Sequence, residues 1–301
     1  MTYLEQEIAT QPQDWLTAAA TAREHTALLP RPGERVAVVG CGTSLYVAQA
    51  YAALREDAGG GLTDAWPASE HRLHRGYDRV IAITRSGTTT EIVDVLEQLQ
   101  HGPPTTVITA DPDSPVARLA APLCLPFLAE RSVVVTRFAT GVLALLRSHL
   151  GEDLDRAARQ AQAGLDADES SLGPAVRAEQ LTFLGRGWTT GLANEAALKL
   201  RESVQVWAES YPMLEYRHGP ISVARAGRVV WVFGEPAEQL QDDVVATGAH
   251  YETAPGIDPM ADLLRVHRLC LAKARAAGLD PDRPRHLERS VILGSTSSSP
   301  D

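Results

Sequence analysis

Three stretches of the chain hold residue types that can do chemistry. The first, Val80 to Leu99, reads VIAITRSGTTTEIVDVLEQL. Thr84, Ser86, Thr88, Thr89 and Thr90 put five hydroxyls into seven residues, with Arg85 and Gly87 in the other two places. An apolar β-branched run leads in and an amphipathic pattern leads out, so the loop joins a strand end to a helix start. Free backbone N–H groups and the dipole of a helix start favour an anion. Hydroxyls add donors, and glycine lets the backbone come close. Helix capping would account for one hydroxyl rather than five. The second stretch, Cys41-Gly42-Thr43-Ser44, follows another apolar run and opens another helix. Both loops read as built for a phosphate. A nucleotide reading is weaker, because GCGTSL lacks the third glycine of the dinucleotide fingerprint and no G-x-x-x-x-G-K-[ST] occurs.

The third stretch is NEAALKLRESVQVWAESYPMLEYRHGP, residues 194–220. On a helix Glu195, Lys199 and Glu202 fall at i, i+4 and i+7 and share a face. A surface Glu–Lys pair worth about 0.3 kcal/mol would account for Glu195 with Lys199. It accounts less well for Glu202 followed, sixteen residues on, by His218-Gly219-Pro220. A carboxylate and a histidine together can relay a proton and open a sugar ring. His218 is also one of nine histidines, and a structural role is the commoner fate of any one of them.

The elements that must position these residues alternate between strand and helix, twice over. Residues 1–29 read as helix broken at Pro12. Strands are expected at 35–40 (RVAVVG), 79–84 (RVIAIT), 105–109 (TTVIT) and 122–127 (PLCLPF), with helices after Cys41, over 88–100 and over 133–150. The softer stretch 160–176 marks a boundary. LTFLG (181–185) then repeats the role of VAVVG, RGWTTGLANEAALKLRESVQVW repeats the loop and helix, and RVVWVFG (228–234) answers RVIAIT. A helix follows at about 258–277, and STSSSPD at the end reads as disordered. Apolar strands separated by helices predict parallel sheets covered on both faces.

Composition bounds the function. With 301 residues the chain has room for two domains. A formal charge of -10 and no cluster of Lys and Arg argue against a nucleic-acid partner. Cys41, Cys124 and Cys270 are odd in number and match no metal spacing, which fits reduced thiols in a cytoplasm. No metal-ligand cluster and no cofactor motif is visible. MTYLEQEIATQPQDW is polar and acidic, unlike a signal peptide. No apolar run approaches the ~20 residues of a membrane helix.

These motifs together resemble the double-SIS-domain sugar isomerases: the isomerase half of glucosamine-6-phosphate synthase and its glucosamine-6-phosphate deaminase and fructosamine deglycase-like relatives. The resemblance runs from EIATQP (7–12) through CGTS, TRSGTTTE, ERSVVVTRFAT (130–140), FLGRG, EAALKLRE and RHGP to DRPRHLERSV. It implies an α/β fold of two flavodoxin-like (SIS) parallel-sheet α-β-α sandwich domains in tandem. The expected boundaries are 1–30 for an N-terminal helical segment, 31–160 for the first domain, and 175–301 for a second, abbreviated domain with its tail. The resemblance makes Gly42, Thr43, Ser44, Thr84, Arg85, Ser86 and Thr89 sugar-phosphate contacts, with Arg85 where the synthase has Gln. It makes Glu202 the base between C1 and C2, Lys199 its assistant, and His218 the ring-opening residue, delivered across a homodimer interface. No glutaminase segment with its nucleophilic cysteine is recognised. Arg289 is expected among the substrate contacts too; it stands where the synthase has a lysine, and an arginine forms no Schiff base. The second domain is shortened between Gly234 and Pro259.

The implied chemistry is removal of the proton beside a carbonyl in an open-chain sugar phosphate. Reprotonation at C1 isomerises the sugar, hydrolysis of an isomerised amino sugar releases ammonia, and loss of a 3-substituent gives elimination. The favoured expectation is an amino-sugar 6-phosphate isomerase or deaminase. A lyase or dehydratase acting on an N-acetylated sugar is the alternative within enzymes. A sugar-phosphate sensor without turnover is the alternative outside them, and the retained Glu202 and His218 weigh against it.

Overall fold

The structure is a computed structural model and describes residues 1–293. The expected disorder of STSSSPD falls on residues 295–301, outside the described residues. The chain begins with helix α1 (Tyr3–Glu24) and continues through β1 (Val36–Gly40), α2 (Thr43–Asp57), β2 (Thr63–Pro67), β3 (Arg79–Ile83) and α3 (Thr90–Gln98). Then come β4 (Thr105–Thr109), β5 (Ala121–Cys124), α4 (Arg137–His149) and α5 (Asp155–Asp166). The second half holds β6 (Gln180–Gly185), α6 (Thr189–Val204), β7 (Trp207–Pro212), β8 (Arg228–Val232), α7 (Leu240–Ala246), β9 (His250–Thr253) and α8 (Pro259–Ala277).

The strands form two parallel sheets, a five-stranded one in the order β2-β1-β3-β4-β5 and a four-stranded one in the order β7-β6-β8-β9. The second order repeats the first without its last strand. Side chains alternate across a strand, and the cores follow that alternation. Val36, Val38, Ile81, Ile83 and Ile108 of one sheet share a core with Leu181, Phe183, Val229 and Trp231 of the other. Residues of α1, α2, α4, α6 and α8 fill the space between these inner faces. On the outer faces, Ala37, Val39, Val80, Ala82 and Val107 pack under Ile92, Val95 and Leu96 of α3. Leu184, Val230 and Val232 pack under Leu240 and Val244 of α7.

Helices α2 and α6 cross closely. A Cβ on Gly191 would lie 2.6 Å from the Tyr46 carbonyl oxygen and 2.9 Å from the Ala50 nitrogen, so only glycine admits this approach. Asn194 Nδ2 donates to Gln49 Oε1 at 2.8 Å across the same crossing. This sets the first turns of α6 against residues 46–50 of α2, and Lys199, farther along α6, reaches Thr43 at the start of α2.

Several expectations need correction. Helix α1 runs through Pro12 unbroken. A helical proline costs an N–H and crowds the preceding turn, but Ile8, Trp15, Ala18, Ala19 and Ala22 are buried in the central core and offset that cost. The helix expected over 133–150 begins at Arg137, and the strand expected over 122–127 ends at Cys124 with a 3₁₀ turn at Pro126–Leu128. The soft stretch 160–176 contains the end of α5, whose Ala157, Ala158 and Ala161 are buried, and a kinked 3₁₀ segment, Glu169–Arg177. The shortened stretch before Pro259 still contributes α7 and β9.

Candidate active site

In an open parallel sheet with this strand order, ligands bind outside the carboxyl ends of the strands, where the order reverses. In the five-stranded sheet that place is the end of β1 and β3, and a cavity of about 200 Å³ lies there. It is lined by Gly42, Thr43 and Ser44 after β1 and by Thr84, Arg85, Ser86 and Thr89 after β3. Val133 and Val135 form one wall, Glu202 of α6 reaches in from another, and Arg289 belongs to the C-terminal segment that closes it.

The hydroxyl-rich loop divides its labour. Thr84, Ser86 and Thr89 line the cavity. Thr88 and Thr90 instead hold the C-terminal segment: Thr88 Oγ1 donates to Ser290 Oγ at 3.0 Å, and Thr90 Oγ1 accepts from the Leu293 amide at 2.9 Å. Thr90 also donates its own amide to the Val291 carbonyl at 3.2 Å.

Opposite the hydroxyls stands a carboxylate–ammonium–carboxylate row on α6. Lys199 Nζ donates to Glu202 Oε2 at 2.5 Å and to Thr43 Oγ1 at 3.0 Å, and lies 3.5 Å from Glu195 Oε1. Lys199 and Glu195 are buried, whereas Glu202 is partly open to the cavity. The expected surface pair of Glu195 and Lys199 is therefore wrong. Their shared face is turned into the α2–α8 side of the core, where surface magnitudes do not apply. Burial pushes the Glu195 carboxyl from its ordinary 4.5 up to about 7, against the pull of the Lys199 cation and with help from the Glu202 charge. Burial alone would lower the Lys199 ammonium, but Glu195 and Glu202 outweigh it and hold the pKa above its usual value. Lys199 therefore stays charged and fixes the Glu202 carboxylate at the cavity edge.

Behind this row sits His267 of α8, fully buried, with Nδ1 3.2 Å from Gln11 Nε2. Gln11 Oε1 in turn accepts from Thr140 Oγ1 at 2.9 Å. Burial, aided by the Lys199 charge, drives the imidazole down to about 3, so it is neutral. Neither His267 nor the burial of Glu195 was singled out from sequence. The signal available for Glu195 was its place on the Lys199–Glu202 face.

Of the residues expected in the site, the structure brings Gly42, Thr43, Ser44, Thr84, Arg85, Ser86, Thr89, Glu202 and Arg289 to one cavity, with Lys199 directly behind it. It does not bring His218 there. His218 is exposed after the 3₁₀ turn Met213–Arg217 that follows β7, and its amide donates to the Glu215 carbonyl at 3.0 Å. Sequence reasoning missed the apolar wall of Ile83, Ile92, Val133 and Val135 and the tail residues Leu287, Glu288, Ser290 and Val291.

Residues 31–147, which span β1 to near the end of α4, match the SIS domain family; the four-stranded half lies outside that match. The isomerizing glutamine–fructose-6-phosphate aminotransferase of Zymomonas mobilis is 28% identical over 86% of this chain and 52% of its own. The chain spans about half the length of the curated relatives it matches. Among solved structures, glucosamine-6-phosphate deaminase from Thermotoga maritima superimposes with a TM-score of 0.78 at 25% identity, covering 97% of this chain and 100% of that one. The C-terminal domain of glucosamine-fructose-6-phosphate aminotransferase from Francisella tularensis shares the fold, with a TM-score of 0.80 at 20% identity over 94% of this chain and 98% of that one.

Proposed function

We propose that the cavity takes the open-chain form of an amino-sugar 6-phosphate and that the chain is an isomerase or deaminase working by proton transfer between C2 and C1. One observation carries this reading. A lysine-bound glutamate, Glu202, edges a cavity into which two strand-to-helix turns present hydroxyls. The hydroxyls of Ser44, Thr84, Ser86 and Thr89 and the helix starts of α2 and α3 receive the phosphate. That fixes the other end of a short sugar near Glu202, which removes the C2 proton and returns it at C1. The adjacent Lys199 cation stabilises the oxyanion character that develops on the substrate. Hydrolysis after isomerisation of an amino sugar would release ammonia.

The relatives' activities support the substrate class, and Arg289 supports the direction. A guanidinium stays charged and is no nucleophile, so amination of a ketose through a lysine imine at that position is not proposed. The two sheets are read as a tandem pair of SIS modules, about residues 31–160 and 175–301, sharing one site. His218 is exposed and outside its own cavity. That suits a ring-opening residue delivered to the site of a second copy, and a homodimer is part of the proposal.

The test is proton NMR of glucosamine 6-phosphate and of its N-acetyl form, each incubated with protein in deuterated water, with ammonia assayed in parallel. Deuterium at C1 of a ketose with ammonia release is expected from the free amine. An unsaturated product from the acetylated sugar without ammonia would reassign the chain to elimination chemistry. No exchange with either would overturn the enzymatic reading for amino sugars.

A further inference from the structure

We propose that Arg85 is a positioning residue, a latch that assembles the cavity roof from two remote segments, and not a side chain that grips the phosphate. The inference deepens the reading of the cavity as a sugar-phosphate site and rests on that reading only for the ligands used in its test.

Arg85 is 5% exposed, at the end of β3. Its Nη1 donates to the Ser132 carbonyl at 3.0 Å and the Val133 carbonyl at 3.2 Å, and its Nη2 donates to the Arg289 carbonyl at 2.7 Å. The three oxygens come from two segments, one before α4 and one near the C-terminus. Both contribute cavity wall, through Val133 and through Leu287 to Val291. A planar guanidinium with five donors in a rigid fork can span several carbonyls at fixed angles. Beneath it the buried Glu130 carboxyl lies 3.7 Å from Nη1, its pKa raised by burial against the pull of the Arg85 charge. That carboxyl is itself fixed, because Glu130 Oε1 accepts from the amides of Thr136 at 2.7 Å and Arg137 at 2.8 Å.

The two segments differ in how much else holds them. The loop before α4 is anchored by Glu7 of α1, which accepts from the amides of Arg131 and Ser132 and from the Ser132 hydroxyl. The C-terminal segment exposes Leu287, Val291 and Leu293 at 42%, 56% and 62%, so little apolar burial keeps it down. Polar contacts do so instead: Asp282 takes the Tyr3 and Leu4 amides at 2.7 and 2.9 Å, and Thr88 and Thr90 take Ser290, Val291 and Leu293. The Arg85 bond is charge-assisted, as are those the Asp282 carboxylate accepts, and it reaches a cavity-lining residue from a buried side-chain donor. It also places Arg289 directly over the cavity that Glu202 enters. Among the described residues Arg85 Nε has no hydrogen-bond partner, so the competing role, a donor to the ligand, is chemically available and must be tested.

The experiment compares wild type with Arg85→Gln and Arg85→Lys by hydrogen–deuterium exchange, together with calorimetric binding of inorganic phosphate and of glucosamine 6-phosphate. For both variants, exchange in peptides covering residues 286–293 is expected to rise about tenfold, the equivalent of one charge-assisted bond. β1, β3 and α4 are expected to keep their protection, and phosphate affinity to stay within about threefold of wild type. Unchanged tail exchange with phosphate affinity reduced about tenfold or more would make Arg85 a ligand and overturn the proposal. Faster exchange throughout β3 and α4 would make it a general fold residue, which also overturns it. Tail protection restored by lysine would show that charge alone suffices and would defeat the argument from the guanidinium fork. Failure of wild type to turn over any amino-sugar phosphate would remove the proposed function and leave the tail-exchange result standing.

Discussion

Two strand-to-helix turns occupy equivalent places in the two sheets, and only one of them opens onto the cavity. Both begin with a strand glycine over which the first helical turn folds back. A Cβ on Gly40 would lie 2.6 Å from the Ser44 carbonyl carbon, and one on Gly185 would meet the Thr189 carbonyl oxygen closer still. Both continue through a glycine at positive φ, Gly42 and Gly187. The side chains beyond that glycine set them apart. After β1 the residues are Thr43 and Ser44, facing the cavity, and the loop after β3 adds Thr84, Ser86 and Thr89. After β6 the residue is Trp188, with the Arg147 guanidinium 5.0 Å above its ring and tied to Glu152 and Asp258. Thr189 Oγ1 closes on its own turn, accepting from the Arg186 amide at 2.8 Å. After β8 comes FGEPAE, with no hydroxyl. On the proposed reading one scaffold supplies two anion-competent turns, one kept open and the other plugged by Trp188 and the Arg147 guanidinium above it. The plugged half still contributes, because its helix α6 carries Glu195, Lys199 and Glu202 to the open half.

The proposed division between an anion-holding half and a proton-moving half can be broken most severely at Glu202. Glu202→Gln should lower kcat by about 10²- to 10⁴-fold while glucosamine 6-phosphate binding, followed by calorimetry, is retained. Loss of binding in parallel with rate would put Glu202 among the phosphate-holding groups and erase the division. The shared scaffold is tested by Gly40→Ala and Gly185→Ala. Each added methyl meets backbone, so each variant should lose about 1–3 kcal/mol in urea denaturation. Only Gly40→Ala should also weaken inorganic phosphate binding, and equal weakening by both would mean that the second turn is not plugged.

The scaffold was largely legible before the structure, because its central strands are buried on both faces and therefore read as continuous apolar runs. VAVVG, RVIAI and RVVWV are of this kind. The edge strands β2 and β7, TDAWP and WAESYP, were not recognised. Each pairs on one side only, carries an acidic residue and ends in proline, so no apolar run marks it. In the site, hydroxyls at a strand end announced themselves by type and position. Their division between ligand and tail did not, since Ser290 and Leu293 stand about two hundred residues from Thr88 and Thr90. Arg85 was legible as a cation, but its bonds to backbone carbonyls were not, because such partners leave no trace in residue types. Glu195 was hidden by the commonest surface pattern there is, an i,i+4 Glu–Lys pair.

That buried glutamate gives the comparison a pH dependence. The Glu195 carboxyl is raised from 4.5 to about 7, by burial first. A carboxyl that keeps its proton in the fold and loses it in the unfolded chain stabilises the fold fully below the unfolded value. The contribution is lost as pH rises through the folded value. Wild type should therefore lose stability relative to Glu195→Gln between about pH 4.5 and about pH 7, by at most about 1.4 kcal/mol per pH unit. Urea midpoints of the two proteins across that range measure the difference. A difference that grows with pH in favour of wild type would show Glu195 ionised and paired with Lys199 throughout.

The smallest expected effects come from a matched pair of hydroxyl deletions, and they bear most directly on the proposal that one turn binds and the other does not. Thr89 lines the cavity and makes no side-chain cap to α3. Thr189 spends its hydroxyl within its own turn. Thr89→Ala should weaken inorganic phosphate binding by about 1.5 kcal/mol, the low end for one hydrogen bond to a charged group, with little change in stability. Thr189→Ala should do the reverse, costing about 1 kcal/mol of stability because the Arg186 amide loses its acceptor, with phosphate binding unchanged. If both deletions cost stability alone, the hydroxyls after β3 are caps and the anion is held by backbone N–H groups. The open and plugged turns would then differ only by Trp188 and the Arg147 guanidinium above it, and the selection between the two halves would rest on a steric plug instead of on donor chemistry.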